Sequence, residues 1–378
     1  MGIIFWFSTL VIFSIYLGYP LVVTLWAKLR PKAVRKGDVV PSVSILISAY
    51  NEEKHLERKI DNSLAIDYPR EKLEIIVISD ASTDGTHEIL KRYAGQGIRY
   101  YVLEERRGKT AALNKALEMA RGEILFFTDA TTIHPPEVLK RLVRNFCDPE
   151  VGCVSGKVIF RDLDANLTGK GLKARLGYEI YLRHRLSDIW SMFGATGCIM
   201  AIRKGLCQTL REDLVMDLVV PLLALQRFFR TVYEPEALAF VDRPTSSEGE
   251  FNRRSRIVLR GLRALVYMRC LGNTRRYGVF VSAMFYHRLL RWLAPVFFII
   301  VFISSLSLVS QRFYLALFLI QVGFYLCAVG AHFMEEGNYR IKLLSVPYYF
   351  CLINLAALKG IIRLIAGDKG TVWETVRR

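Results

Sequence analysis

Four carboxylates stand where an apolar run ends or a helix opens. They are Glu52 beyond VSILIS, Asp80 after EIIVIS, Asp129 after ILFFT, and Asp217 at the head of DLVVPLLALQRF. In open α/β sheets, ligands bind beyond the C-terminal ends of the strands, so carboxylates delivered there face a ligand edge. Groups of this kind can accept hydrogen bonds from a base or ribose, hold a divalent cation on a diphosphate, or take a proton from an attacking hydroxyl. One strand-terminal Asp is more often a turn former or helix cap. Their repeated placement at strand ends points to a site.

Such groups need alternating strands and helices to position them. Strands are predicted over 43–48, 74–79, 98–103, 124–128, 152–160 and 232–240, and helices over 52–64, 110–120 and 137–146. A fourth helix, 217–228, reads as amphipathic, with Pro221 late in its first turn. This alternation predicts an α/β domain with a mostly parallel sheet. Residues 162–188 are basic and helix-prone, and the polar segment 244–250 reads as a loop. Motion of the loop around Ser246 to Glu250 over a ligand is an expectation from its composition.

The chain is 378 residues long, carries a formal charge of +17 and is 52% hydrophobic, with the apolar excess concentrated in a few runs. Residues 1–27 hold no charge, and neither do 293–311 and 313–334; each run is about as long as a bilayer core requires. The expected layout is a transmembrane helix at 1–27, a basic linker at 28–40 and an α/β domain at 41–270. An interfacial segment at 271–292, transmembrane helices at 293–311 and 313–334, a further membrane or interfacial helix at 343–366 and a basic tail at 367–378 complete it. The first run reads as an anchor rather than a cleaved signal, because no positive charge leads it and its apolar part is long. Lys28, Arg30, Lys32, Arg35 and Lys36 follow it, which by the positive-inside rule places the central domain in the cytoplasm. Basic residues at that face suit anionic lipid headgroups. No nucleic-acid-binding motif accompanies the charge, so nucleic acid is not the expected partner. The seven cysteines show no CxxC spacing and read as reduced thiols.

VSILISAYNEE (43–53), IIVISDASTDGT (75–86), RRGKTAALNKAL (106–117) and FFTDATT (126–132) resemble, in order and spacing, the signature blocks of family two glycosyltransferases. YEPEA (233–237) and NRRSRIVLRG (252–261) are similar to later blocks of that family. The resemblance covers about 41–265 and implies a GT-A fold and inverting transfer. With membrane segments on both sides, the layout is similar to the membrane-embedded synthases of hyaluronan, chitin-like oligomers, poly-N-acetylglucosamine and cellulose. It implies an integral membrane protein of a prokaryotic plasma membrane, moving sugar from a UDP-sugar to a saccharide or lipid-linked acceptor with Mg2+ or Mn2+. Single-sugar transfer to a polyprenyl phosphate or membrane lipid, and a catalytically silent partner subunit, are the alternatives.

Carried over by position, the resemblance places Tyr50 and Glu52 beside the base, Asp80 on uracil or ribose, and Lys109 near the diphosphate. Asp129 and Thr131 match the two ends of the metal-binding DxD element, and Asp217 matches the catalytic base. Arg253, Arg254 and Arg256 match the block that contacts the diphosphate and acceptor channel. The chain departs from the pattern at Ser48, Ser79, Ala81 and Met216, and most sharply at Thr131, since a neutral hydroxyl is a weaker ligand for a hard cation than a carboxylate. His134 is the nearest group that could assist the metal, and Glu212 and Asp213 are rivals to Asp217. The segment RRSRI (253–257) lacks the aromatic that processive members carry.

Overall fold

A computed structural model describes residues 1–161, 167–242, 247–336, 344–368 and 370. The chain opens with α1 (Gly2–Phe13) and α2 (Tyr19–Leu29), joined through a π-helical turn at Ser14–Gly18 into one apolar helix.

Next comes a seven-stranded sheet. β1 (Val43–Ala49) leads to α3 (Leu56–Leu64), β2 (Leu73–Ser79) to α4 (Thr86–Tyr93), and β3 (Ile98–Val102) to α5 (Lys109–Met119). β4 (Ile124–Asp129) and α6 (Val138–Val143) precede β5 (Val151–Phe160). After α7 (Leu167–Ile189) come β6 (Met200–Arg203), α8 (Met216–Gln226) and β7 (Arg230–Val241). The strand order is β3-β2-β1-β4-β6-β5-β7, parallel everywhere except on the two sides of β6. β1 and β4 are buried on both faces, as central parallel strands should be, and read as near-continuous apolar runs for that reason. Gly122 at the mouth of β4 lies so close to β1 that a Cβ would meet the Ser44 nitrogen at 2.6 Å.

Several elements differ from the sequence reading. α3 starts four residues late because Asn51 turns the chain at φ 53°, a left-handed conformation that Asn tolerates. β6 is absent from the prediction; at four residues, MAIR, it is too short for an alternation signal. α8 is not amphipathic: nine of its 11 residues are buried, so apolar side chains cover every face. The segment expected to be a basic linker is tied down. Lys36 pairs at 2.9 Å with Glu234, whose side chain is fully buried, and Arg230 donates at 2.8 Å to the carbonyl of Lys32.

α9 (Ser247–Tyr267) occupies most of the expected loop at 244–250, and the part of that loop at 244–246 lies outside the described residues. α10 (Thr274–Leu306) merges the expected interfacial segment with the following span, interrupted only at Gly278, φ 81°. α11 (Arg312–Glu336) and α12 (Ser345–Ile365) follow. The N-terminal helix, α10, residues Arg312–Met334 of α11 and α12 are each long and apolar enough to cross a membrane.

The chain divides into two compact units. Arg30–Arg161 and Arg183–Arg243 hold the sheet; Met1–Leu29, Asp162–Leu182 and Pro244–Asp368 hold the apolar helices. α9 therefore clusters with the apolar helices rather than with the sheet. Its contact with α12 is close: a Cβ on Gly360 would lie 2.7 Å from the carbonyl of Ser255, and Lys359 reaches Asn252 at 3.1 Å.

Candidate active site

Strand register assembles the site. Ser48 of β1 lies opposite Asp129 of β4, and Ala49 opposite Ser79 of β2, so the loops after all three strands leave the sheet at one edge. The strand order reverses at β1, and the crevice beyond such a reversal is where doubly wound sheets bind ligands. Tyr50, Glu52, Asp80, Arg106, Lys109, Asp129 and Thr131 all line one pocket there. The sequence had singled out every one of them except Arg106. The loops are knitted together: Thr83 N–H donates to Asn51 Oδ1 at 2.8 Å, and Gly85 N–H to Glu53 Oε2 at 2.9 Å.

Lys109 opens α5 and its ammonium donates to the Asp129 carboxylate. Burial alone would lower its pKa, but the Asp129 and Asp217 charges outweigh that and hold it above its ordinary value. It is therefore a fixed cation at neutral pH. The Arg106 guanidinium sits 3.8 Å from the centroid of the Tyr50 ring, a cation–π stack that presents a second positive group beside an aromatic face. The N-terminus of α5 adds the positive end of a helix dipole. Two cations and a helix terminus beside Asp129 in one pocket suit a diphosphate.

Asp80 has a more specific place than its motif suggests. It is only 4% exposed, and its Oδ1 and Oδ2 accept the backbone N–H groups of Arg107 and Gly108, each at 2.8 Å. The carboxylate clamps the loop that delivers Arg106 and Lys109. Gly108 takes φ 96°, which favours glycine at this sharp entry to the helix.

Asp217 lies in the first turn of α8, where the helix dipole favours a carboxylate. Its carboxylate packs against Gly197, where a Cβ would come within 3.2 Å of Oδ2. Pro221 leaves the Asp217 carbonyl without its helical donor, and that carbonyl accepts Ala195 N–H at 2.8 Å instead. The proline thus docks the 194–197 loop beside Asp217. Both rivals are paired with arginines, Glu212 with Arg107 and Asp213 with Arg211 at 2.7 Å.

One expectation needs correction. His134 does not face the pocket. It is 2% exposed, its Nε2 shares a hydrogen bond with Thr128 Oγ1 at 2.8 Å, and its Nδ1 lies 3.1 Å from the carbonyl of Leu238. Burial and the neighbouring Lys59 charge hold its pKa well below the usual range, so it is a neutral buried imidazole with both nitrogens engaged, not a metal ligand. Arg253, Arg254 and Arg256 lie on α9, in the unit of apolar helices. Arg253 and Arg254 both bind Glu250, at 2.7 Å each. Sequence reasoning missed Lys59 and Arg106, the first because nothing in its helix marks it out, the second although it stands inside a quoted block.

A glycosyl transferase family 2 model matches residues 44–211. Among curated relatives, the poly-beta-1,6-N-acetyl-D-glucosamine synthase of Staphylococcus aureus strain COL is 27% identical over 231 residues, 58% of this chain and 54% of the relative. The beta-monoglucosyldiacylglycerol synthase of Nostoc sp. is 31% identical over 150 residues, 39% of this chain and 32% of the relative. The chain therefore spans about half the length of the first of these, and less of the second. A mannosyltransferase from Pyrobaculum calidifontis, solved with GDP-Man and Mn2+, shares the fold with a TM-score of 0.75 at 21% identity, over 97% of this chain and 99% of its own. The match, the ordered signature blocks and the sheet that carries them agree: residues 44–211 are a glycosyl transferase family 2 domain built on the GT-A fold.

Proposed function

We propose that the chain is a membrane-bound inverting glycosyltransferase that moves a sugar from a UDP-linked donor to a saccharide or lipid-linked acceptor. The observation that carries this reading is the single pocket holding Asp129, Lys109, Arg106 and Tyr50 together at the switch point of the sheet. Asp129, Lys109 and Arg106 address the diphosphate, Tyr50 and Glu52 border the base, and Asp217 takes the proton from the acceptor hydroxyl as it attacks the anomeric carbon. The pairing of Glu212 and Asp213 with arginines supports Asp217 in that role. The sheet unit faces the cytoplasm, in keeping with the basic residues that follow the first apolar helix.

A divalent cation fits this donor set in one way. Among the described residues no three His, Cys, Asp or Glu side chains converge as a metal cage. Asp129 is one carboxylate with the Thr131 hydroxyl two residues on, a set that suits Mg2+ or Mn2+ shared with substrate phosphates and waters. When bound, such an ion would neutralise the leaving diphosphate. Lys109 supplies part of that charge from the protein itself.

Nucleotide release against a panel of UDP- and GDP-sugars tests the reading. Wild type should turn over at least one donor, and Asp217→Asn should lose about a thousandfold or more in rate while still binding nucleotide. A wild type silent with every donor favours a partner subunit. Product length on a sizing gel separates chain extension from single addition.

A further inference from the structure

Beneath the Asp129 turn lies a group that no motif marks. Lys59 of α3 is completely buried, at 0% exposure. Its Nζ donates to Thr128 Oγ1 at 2.9 Å and to the carbonyl of Thr132 at 2.7 Å. Thr132 N–H in turn donates to the Asp129 carbonyl at 3.1 Å. The ammonium therefore grips both ends of the short turn that carries Asp129 and Thr131. One helical turn further along the same face of α3, Asn62 exchanges two hydrogen bonds with the backbone of His134, at 2.9 Å and 2.7 Å. The Thr128 hydroxyl also meets His134 Nε2, and Ile133 exchanges backbone hydrogen bonds with Phe240 of β7 at 3.1 Å and 2.9 Å.

Among the described residues this buried ammonium bonds a hydroxyl and a carbonyl and meets no carboxylate directly, which is costly for a desolvated charge. Burial pushes Lys59 down to about 7, with the Asp129 charge opposing that fall. An apolar residue of the same length would fill the space without this penalty. What an apolar residue would lack is the pair of bonds to the turn.

We propose that Lys59 is a positioning residue for donor binding: by fixing Thr128 and Thr132 it holds the Asp129–Thr132 turn so that Asp129 and Thr131 face the donor diphosphate. The inference rests on the donor reading above. It also accounts for how a neutral Thr131 can serve there, since a weak ligand held in place needs no reorganisation on binding.

The test compares donor KM, acceptor KM, Vmax and thermal midpoint for wild type, Lys59→Met, Thr128→Val and the double variant in detergent. Lys59→Met should raise donor KM about tenfold and leave acceptor KM unmoved. Thr128→Val should do the same to a smaller degree, and the double variant should be no worse than Lys59→Met, because the Lys59–Thr128 bond that the second change breaks is already gone in the first. A purely structural role would lower Vmax through lost enzyme and leave donor KM where it was; that result overturns the proposal, as do additive effects on donor KM. If Lys59→Met cannot be purified folded, Thr128→Val alone decides, and an unchanged donor KM overturns it. A wild type that binds no nucleotide sugar sinks the donor reading itself and this inference with it.

Discussion

At the scale of single residues, the site depends on where a few side chains find their partners. Ala81 shows how a departure from the family pattern reads in coordinates. It stands where the family commonly has Gly, directly after Asp80, and it takes φ 53°. A Cβ in the left-handed region costs about 1–2 kcal/mol, partly offset by the extra chain entropy that glycine loses on folding. Ala81→Gly should therefore stabilise the domain by about 1 kcal/mol and raise its thermal midpoint, with activity retained; a lower midpoint would contradict the strain. Motifs in the sequence were enough to single out Tyr50, Lys109 and Asp129, which the fold brings to one pocket. What the sequence could not reveal is how a group is engaged. His134 looks like a spare ligand until both its nitrogens are found bonded, and nothing in the sequence shows that the two oxygens of Asp80 hold the Arg107 and Gly108 amides.

Elements set those partners. The βαβ alternation of the first four strands was legible because buried parallel strands are written as continuous apolar runs ended by turn residues. β6 was not, because four residues carry no period, and the antiparallel pairing on both its sides comes from tertiary context alone. α8 was read with the wrong polarity because a helix buried on every face and an amphipathic one share the same few polar residues at their ends. Its proline has a use at this scale. Pro221 removes the donor that would bind the Asp217 carbonyl, and the Ala195 loop takes the place. Pro221→Ala should strengthen the helix, by about 1–3 kcal/mol, while loosening the loop beside Asp217, so kcat should fall several-fold as stability rises. Stopped-flow or steady-state rates together with chemical denaturation would show it, and an unchanged kcat would remove the proline from the account.

On the scale of the whole molecule, a sheet unit holds the pocket, and a second unit holds helices long and apolar enough to cross a membrane. The composition pointed to the second unit, since three long uncharged runs have few other uses. It did not announce that α9 belongs with them, because a helix rich in arginine reads as part of a phosphate site. Glu250 explains its place: it is nearly buried, bound by Arg253 and Arg254 and by the Tyr349 hydroxyl at 3.2 Å. Burial alone would raise its carboxyl, but Arg254 and Arg253 outweigh it and hold the pKa down at about 2, against 4.5 ordinarily. A depressed carboxylate stabilises the fold above its unfolded pKa and loses that contribution as pH falls through the folded one. Between about pH 5 and pH 2 the helical unit should therefore lose up to about 3 kcal/mol that Glu250→Gln does not lose. Thermal midpoints in detergent across that window would check it, and parallel acid profiles for the two proteins would refute it.

The central claim is that Asp129 anchors a donor-diphosphate site at the tip of β4. Its most direct measurement is the initial rate of sugar transfer by Asp129→Ala against wild type, using the donor that wild type prefers and protein shown to be folded. The account predicts a fall of about a hundredfold or more. Equal rates would contradict it.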